Sequence, residues 1–188
     1  MYNTIALDID NTLHDFVAIA QREGAKLGCQ LDYQDNWEDQ VGDELLDLII
    51  ENSLTDSNIL CAQIYPYAKW ALDKLAKKSL IYVVSRRSTK CHNVTEKWLK
   101  YNKIPYFALI CTEDKLSFFK ETDCSIVIDD WTSTIQDSLS EGYKVATLVY
   151  PWNINIAMKN ISNKNFIGAH NWLDIYEQMK TKNWIESL

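Results

Sequence analysis

Two aspartates one residue apart, Asp8 and Asp10, stand where the apolar run "TIAL" gives way to polar, turn-forming residues. Like charges placed this way repel each other and add nothing to a core, so the pair implies a use for concentrated negative charge. Phosphoryl transfer from a monoester to a carboxylate is such a use. It needs a nucleophile, an acid for the leaving alcohol and positive charge around the phosphoryl oxygens. Asp8 is the candidate nucleophile. Asp10 is the candidate acid and base, first protonating the departing oxygen and then activating water against an aspartyl-phosphate. A free aspartic acid has a pKa of about 3.9, so this reading expects the site to raise Asp10's value when a negatively charged substrate enters.

Three more polar breaks carry matching chemistry. Ser85 follows "LIYVV" and can hydrogen-bond phosphoryl oxygens, while Lys115 follows "YFALICTED" and can hold nucleophile and phosphate by charge. Lys120 competes with Lys115, but Lys115 comes at the polar break itself whereas Lys120 reads as part of a solvated helix face. Asp129 and Asp130 follow "SIVI". Mg²⁺ takes oxygen ligands from one or two carboxylates plus phosphate and waters, and Asp8, the Asp10 carbonyl and Asp130 make such a set. The ion also accounts for the paired aspartates, because it neutralises repulsion between an acidic cluster and a phosphate dianion. Arg86 is a candidate phosphate contact, and Arg87 reads as a surface charge. His14, His92 and His170 share no ligand spacing and receive no metal or catalytic role.

Bringing these residues together is a task for the elements around them. "LIYVVSRRS", "YFALICTEDK" and "SIVIDDWTS" repeat the form of a short apolar run and a polar break, and "KVATLVYPWN" ends the series. Helix-like stretches alternate with them: residues 65–78 with Pro66 near the start, "TEKWLKYNK", and "WTSTIQDSLSEG" closed by Gly142 as a C-cap. This alternation predicts an α/β fold, a doubly wound, Rossmann-like parallel sheet. Ligands of such sheets bind beyond the carboxyl ends of the strands, where every polar break falls. Residues 17–64 depart from the alternation; "AIAQREGAKLG" and "DELLDLIIENS" read as two amphipathic helices joined by an acidic link around Tyr33 and Trp37. They are expected to form a small helical cap inserted after the first strand, on a core made of residues 1–16 and 65–188. "NWLDIYEQMKTKNW" reads as a last helix packed on the sheet.

At 188 residues and 47% hydrophobic, the chain fits one domain plus an insertion better than two independent domains. A formal charge of -7 opposes nonspecific attraction to a nucleic acid polymer or an anionic membrane, so a small anionic substrate needs a metal or localised cations. Five scattered cysteines without a C-x-x-C pair read as reduced, mostly buried thiols. Nothing reads as a secretory leader or a spanning segment, and a cytoplasmic location is expected.

"DIDNT" after hydrophobic residues, Ser85 after "LIYVV", Lys115, and "IVIDD" together resemble the four motifs of the haloacid dehalogenase superfamily. In that superfamily the second aspartate of the first motif marks phosphatases and phosphotransferases, so Asp10 implies phosphate chemistry. The resemblance also implies that Asp130 is the direct metal ligand and that Asp129 stands behind it. "DIDNTLHDF", "YPYAKWALDKL", "TEKWLKYNKIPY" and "YPWN" further resemble the 5'(3')-deoxyribonucleotidases and their bacterial relatives. These are magnesium-dependent enzymes with a small helical cap that remove phosphate from deoxynucleoside monophosphates, and the residue matching Phe16 lies against the base. Trp37 is a second candidate base contact. Asn11 stands where the family usually has Gly, and "SRRS" where it commonly has Thr-Ala-Arg. The resemblance thus implies a nucleoside monophosphate as the small phosphorylated metabolite, with a homodimer left open. Two alternatives stay open: a phosphatase of another metabolite such as a sugar phosphate, and a non-hydrolytic nucleotide-binding module.

Overall fold

The structure, a computed structural model, describes residues 3–32 and 37–185. The chain runs through β1 (Asn3–Leu7), α1 (Phe16–Lys26), α2 (Trp37–Val41), α3 (Asp43–Ser53), α4 (Asp56–Cys61), α5 (Ala68–Leu75), β2 (Ser79–Ser85), α6 (His92–Tyr101), β3 (Ala108–Cys111), α7 (Lys115–Glu121), β4 (Ile126–Ile128), α8 (Thr132–Ser140), β5 (Lys144–Leu148), α9 (Ile154–Asn160), β6 (Phe166–Ala169) and α10 (Trp172–Thr181). All strands pair in parallel in the order β3-β2-β1-β4-β5-β6. The α/β, doubly wound expectation therefore holds. The strand series extends one step beyond "KVATLV", because "FIGA" adds β6 against β5. Four residues including Gly168 carry too little apolar periodicity to be told from a loop.

Period-two alternation sends neighbouring side chains to opposite faces. Ile5 and Leu7 join a cluster with Leu72, Trp98 and Trp172, under α5, α6 and α10. Ala6 points the other way, into a cluster with Phe119, Ile135 and Ile156, under α7, α8 and α9. A strand buried on both faces must be apolar throughout, which is why "TIAL" and "IVI" show runs and not alternation. Burying a side chain such as Leu7 contributes about 1.5–3 kcal/mol. This packing holds the strand ends still.

Between β1 and α5 the described residues form four helices where the sequence suggests two, since α2 and α4 are too short to show a periodicity. Phe16, Ala20, Leu31 and Ile49 form a separate small core there. Tyr33 lies outside the described residues. Gly142, at φ +87°, follows α8 as a C-cap should. The expectation of mostly buried thiols is corrected: Cys124 alone of the five is buried, and Cys61 is exposed. Cys61 ends α4, on the outer side of a helix too short to hide it. Among the described residues no helix is long and apolar enough to cross a membrane.

Candidate active site

Strand register brings the acidic residues together. Leu7 pairs with Ile128, and the Asp8 N–H donates to the Ile128 carbonyl at 2.9 Å, so Asp8 and Asp129 leave neighbouring strands side by side. The chain turns from β1 toward β2 on one side while β4 flanks it on the other, which opens a crevice at this point of the sheet. Lys115, the first residue of α7, reaches into it. Its Nζ donates to Asp8 Oδ1 at 2.6 Å and to Asp129 Oδ2 at 2.8 Å. Lys120 lies far from this contact: its side chain is 51% exposed and pairs with Glu141 at 3.0 Å.

Asp8, Asp129 and Asp130 each present a carboxylate oxygen within 4.8 Å of the others, and all three are buried. Lys115 supplies one positive charge against three negative ones. Burial, with the charges of Asp129 and Asp10, pushes the Asp8 carboxyl up to about 7 against the pull of Lys115. Burial and the charges of Asp8 and Asp129 push Asp130 well above the usual carboxylate range. Asp130 accepts hydrogen bonds from Trp152 Nε1 at 3.1 Å and Thr12 Oγ1 at 3.3 Å, neither of them a cation. Hard oxygen donors with excess negative charge fit a divalent ion such as Mg²⁺. Lys115 offsets charge on Asp8 and Asp129, whereas the hydrogen bonds to Asp130 come from neutral donors.

This arrangement sets the sign of a pH effect. Between its ordinary 3.8 and about 7 the folded Asp8 holds a proton that the unfolded chain has lost, so the metal-free fold loses stability as pH rises through that window. Mg²⁺ is expected to raise the thermal midpoint more at about pH 8 than at about pH 5, where protons compete with it. Asp130→Ala should raise the magnesium requirement more than Asp129→Ala, because Asp129 is already paired with Lys115 whereas Asp130 accepts from neutral donors. Thermal melts titrated with Mg²⁺ check both statements, and the reverse ranking would reassign the ligand.

Asp10 stands beside the trio on a loop that Asn11 shapes. Asn11 adopts φ +55°, a left-handed conformation that glycine and asparagine tolerate, and its Oδ1 accepts the N–H groups of Phe16 and Val17 at 3.0 Å each. Thus Asn meets the conformational need that Gly meets elsewhere and also caps α1. The Asp10 carboxylate is held by Arg87, with Nε to Oδ2 at 2.9 Å and Nη2 to Oδ1 at 2.7 Å. Burial alone would raise its pKa, but the guanidinium charge and the hydrogen bonds from His14 and Arg87 outweigh burial and hold it far below the ordinary range. The structure therefore corrects one expectation: Arg87 is a buried partner of Asp10 and not a surface charge. His14, left without a role by the sequence, lies 3.1 Å from Asp10.

A cavity of about 400 Å³ opens above these groups. Asp8, Asp10, Lys115, Asp129 and Asp130 line its floor, and Phe16, Trp37, Trp131 and Trp152 supply aromatic wall. Arg86 also lines it; Ser85 does not, being buried at the end of β2 with its Oγ accepting the Arg87 N–H at 3.1 Å. Phe16 serves both the cavity and the small helical core, while Trp37 donates from Nε1 to the Asp32 carbonyl at 2.8 Å. Trp131 and Trp152 as cavity walls were not foreseen.

The segment "YPWN" braces the site. Trp152 stacks on Tyr150 at 4.3 Å, the Tyr150 hydroxyl donates to the Asn11 carbonyl at 2.8 Å, and Asn153 Nδ2 donates to the Asp130 carbonyl at 2.9 Å. Its turn thus ties the loop after β5 to the loops after β1 and β4. In sequence the segment reads as the polar break that ends the strand series and as part of a family resemblance.

No protein-family model matches the sequence, and no curated protein matches it. Solved structures do. A haloacid dehalogenase-like family hydrolase from Streptococcus pneumoniae superposes with a TM-score of 0.70 at 12% identity, over 95% of this chain and 99% of its own. A HAD family hydrolase from Deinococcus radiodurans, with bound phosphate and sodium, gives 0.65 at 13% identity over 100% and 99%. A protein described as a predicted phosphoglycolate phosphatase from Haemophilus somnus gives 0.62 at 16% identity over 95% and 98%. With a parallel six-stranded sheet in this order and near-complete mutual coverage, the chain has the haloacid dehalogenase fold.

Proposed function

We propose that the protein is a magnesium-dependent phosphomonoesterase that works through an aspartyl-phosphate on Asp8, and that its substrates are nucleoside 5'-monophosphates, deoxy forms among them. The observation that carries the phosphatase reading is the placement of Asp8 against Lys115, with two further carboxylates and Asp10 around one cavity. The phosphate bound to the Deinococcus structure and the name of the Haemophilus one agree with it.

In the first step Asp10, having taken up a proton as the substrate's negative charge enters, gives it to the departing alcohol while an Asp8 oxygen attacks phosphorus and the bond from phosphorus to the ester oxygen breaks. In the second, water attacks the same phosphorus, Asp10 takes the water proton, and the bond to Asp8 breaks as inorganic phosphate forms. Asp10 ends as it began. Lys115 holds Asp8 in place and offsets charge on the phosphoryl group, and Arg86 is the cation that faces incoming phosphate. A magnesium ion bound by Asp8, the Asp10 carbonyl and Asp130 would supply the positive charge that the acidic floor lacks. Helices α1 to α4 act as a cap over the chemistry.

Substrate class rests on the cavity wall. Phe16, Trp37 and Trp131 offer flat apolar surface to a base, and Glu38 and Asp47 beside them can accept from the amino groups of one. Those same carboxylates repel a substrate with a second anion near the phosphate, such as phosphoglycolate. Phosphate release is to be compared across ribo- and deoxyribonucleotides, sugar phosphates and p-nitrophenyl phosphate, with and without Mg²⁺. Phe16→Ala is expected to lower nucleotide turnover about 5-fold to 150-fold, from a stacking contribution of roughly 1–3 kcal/mol, and to spare p-nitrophenyl phosphate. The variant must first show an unchanged thermal midpoint, since Phe16 also packs the small core. Equal loss on both substrates would mean that Phe16 positions the loop and does not read a base.

A further inference from the structure

Behind Asp10 lies a buried polar cluster that the proposed reaction does not use. Arg87 is 5% exposed and His14 1%, yet neither lines the cavity. Each guanidinium nitrogen has a partner: Nε and Nη2 donate to Asp10 and Nη1 donates to Thr95 Oγ1 of α6 at 3.0 Å, while His14 Nε2 lies 2.9 Å from Nη2. The imidazole is held edge-on by Trp98, with centroids 5.4 Å apart, and its Nδ1 is buried without a partner among the described residues. A buried ring that gives up a hydrogen bond to keep its other nitrogen on this cluster is placed for that contact and not for packing alone.

We infer that Arg87, steadied by His14 and Thr95, is a positioning residue that fixes the carboxylate of Asp10 toward the reacting phosphoryl group, while its neighbour Arg86 faces the substrate. The inference deepens the phosphatase reading and rests on it. A two-pronged guanidinium contact sets the plane of a carboxylate as well as its position, which a lysine cannot do. It also distinguishes the two oxygens. With its proton on Nε2, His14 donates to Asp10 Oδ1, which also accepts from Arg87 Nη2, whereas Oδ2 accepts from Arg87 Nε alone among the described residues. Oδ2 thus keeps a lone pair to spare, and it is the oxygen that exchanges a proton with water and leaving group. The Asp10 side chain is 24% exposed, and Asp10 lines the cavity.

The bland alternative is that the pair only pins β2 and α6 to the loop after β1. The two roles separate in kinetics. Steady-state turnover of p-nitrophenyl phosphate and a deoxynucleoside monophosphate with saturating Mg²⁺ is measured for Arg86→Met, Arg87→Met, Asp10→Asn and the double variant Asp10→Asn/Arg87→Met. Arg87→Met is expected to lower kcat on the order of 10²-fold with KM little changed, as suits loss of a well-placed acid-base group. Arg86→Met is expected to raise KM. In the Asp10→Asn background Arg87→Met should change kcat less than about threefold, because the group it positions has already lost its function.

Arg87→Met strands a buried carboxylate, so its fold is checked by thermal midpoint and by the stabilisation that Mg²⁺ with inorganic phosphate confers. Two variants carry the test if it fails to fold. Arg87→Lys keeps the charge without the fork and should fold with lowered kcat; the double variant removes both charges. Guanidinium ion added to Arg87→Ala should restore part of kcat, and none in Asp10→Asn/Arg87→Ala. An inactive Asp10→Asn beside a fully active Arg87→Met or Arg87→Lys overturns this inference alone, as does an equal loss from Arg87→Met in both backgrounds. A wild-type chain without magnesium-dependent phosphate release overturns the phosphatase reading and this inference with it.

Discussion

Asp8→Asn is expected to abolish turnover, with a loss on the order of 10⁴ or more, while the protein remains folded. An amide is not a competent nucleophile toward phosphorus and brings no charge to a metal. Stability should survive because the change is isosteric and acts where negative charge is in excess. Asp8 is buried beside Asp129 and Asp130, and its carboxyl is pushed up to about 7, so the native fold gains nothing from its ionised form. Lys115 keeps Asp129 as a partner at 2.8 Å. Phosphate release, the thermal midpoint and mass spectrometry of acid-quenched protein, which detects a phosphorylated aspartate, check the expectation together. Appreciable phosphate release by folded Asp8→Asn would remove Asp8 from the nucleophile's role.

Asp10→Asn is expected to cost 10²-fold to 10⁴-fold, the range typical of general acid-base groups. The structure refines how the loss divides. With Arg87 and His14 holding Asp10 ionised, the side chain is better prepared to take a proton from water than to give one to an alcohol. Hydrolysis of the aspartyl-phosphate should therefore suffer whatever the leaving group, and the first step should suffer most for esters with poor leaving groups. With p-nitrophenyl phosphate, whose phenolate needs little help, Asp10→Asn should accumulate phosphoenzyme that rapid quenching can trap. With a nucleotide it should not, because the first step is then slow. Absence of trapped phosphoenzyme with p-nitrophenyl phosphate, together with equal single-turnover losses on both substrates, would deprive Asp10 of the acid's role.

The sheet and the order of its functional loops were legible in sequence because both depend on local pattern. A strand buried on two faces must be an unbroken apolar run, and in a parallel sheet each run ends at the same edge, so the polar residue after it is committed to the crevice. Asp8 after "TIAL" and Asp129 after "IVI" follow from that rule alone. Lys115 was separable from Lys120 because one comes at the polar break and the other on an exposed helical turn. The sequence points to Arg86 as a phosphate contact, but nothing local shows that Arg87 is buried. They are identical neighbours, and only the packing of α6, which presents Thr95 and Trp98 behind Asp10, makes one a cavity wall and the other a buried clamp. The same holds for His14, whose use depends on Arg87 some seventy residues away, and for Trp152, whose indole meets Asp130 through a turn after β5. Protonation was least legible. It depends on distances between charges and on the water that packing removes, and the sequence shows neither the guanidinium that the folded chain places on Asp10 nor the burial that makes Asp8 and Asp130 reluctant to ionise.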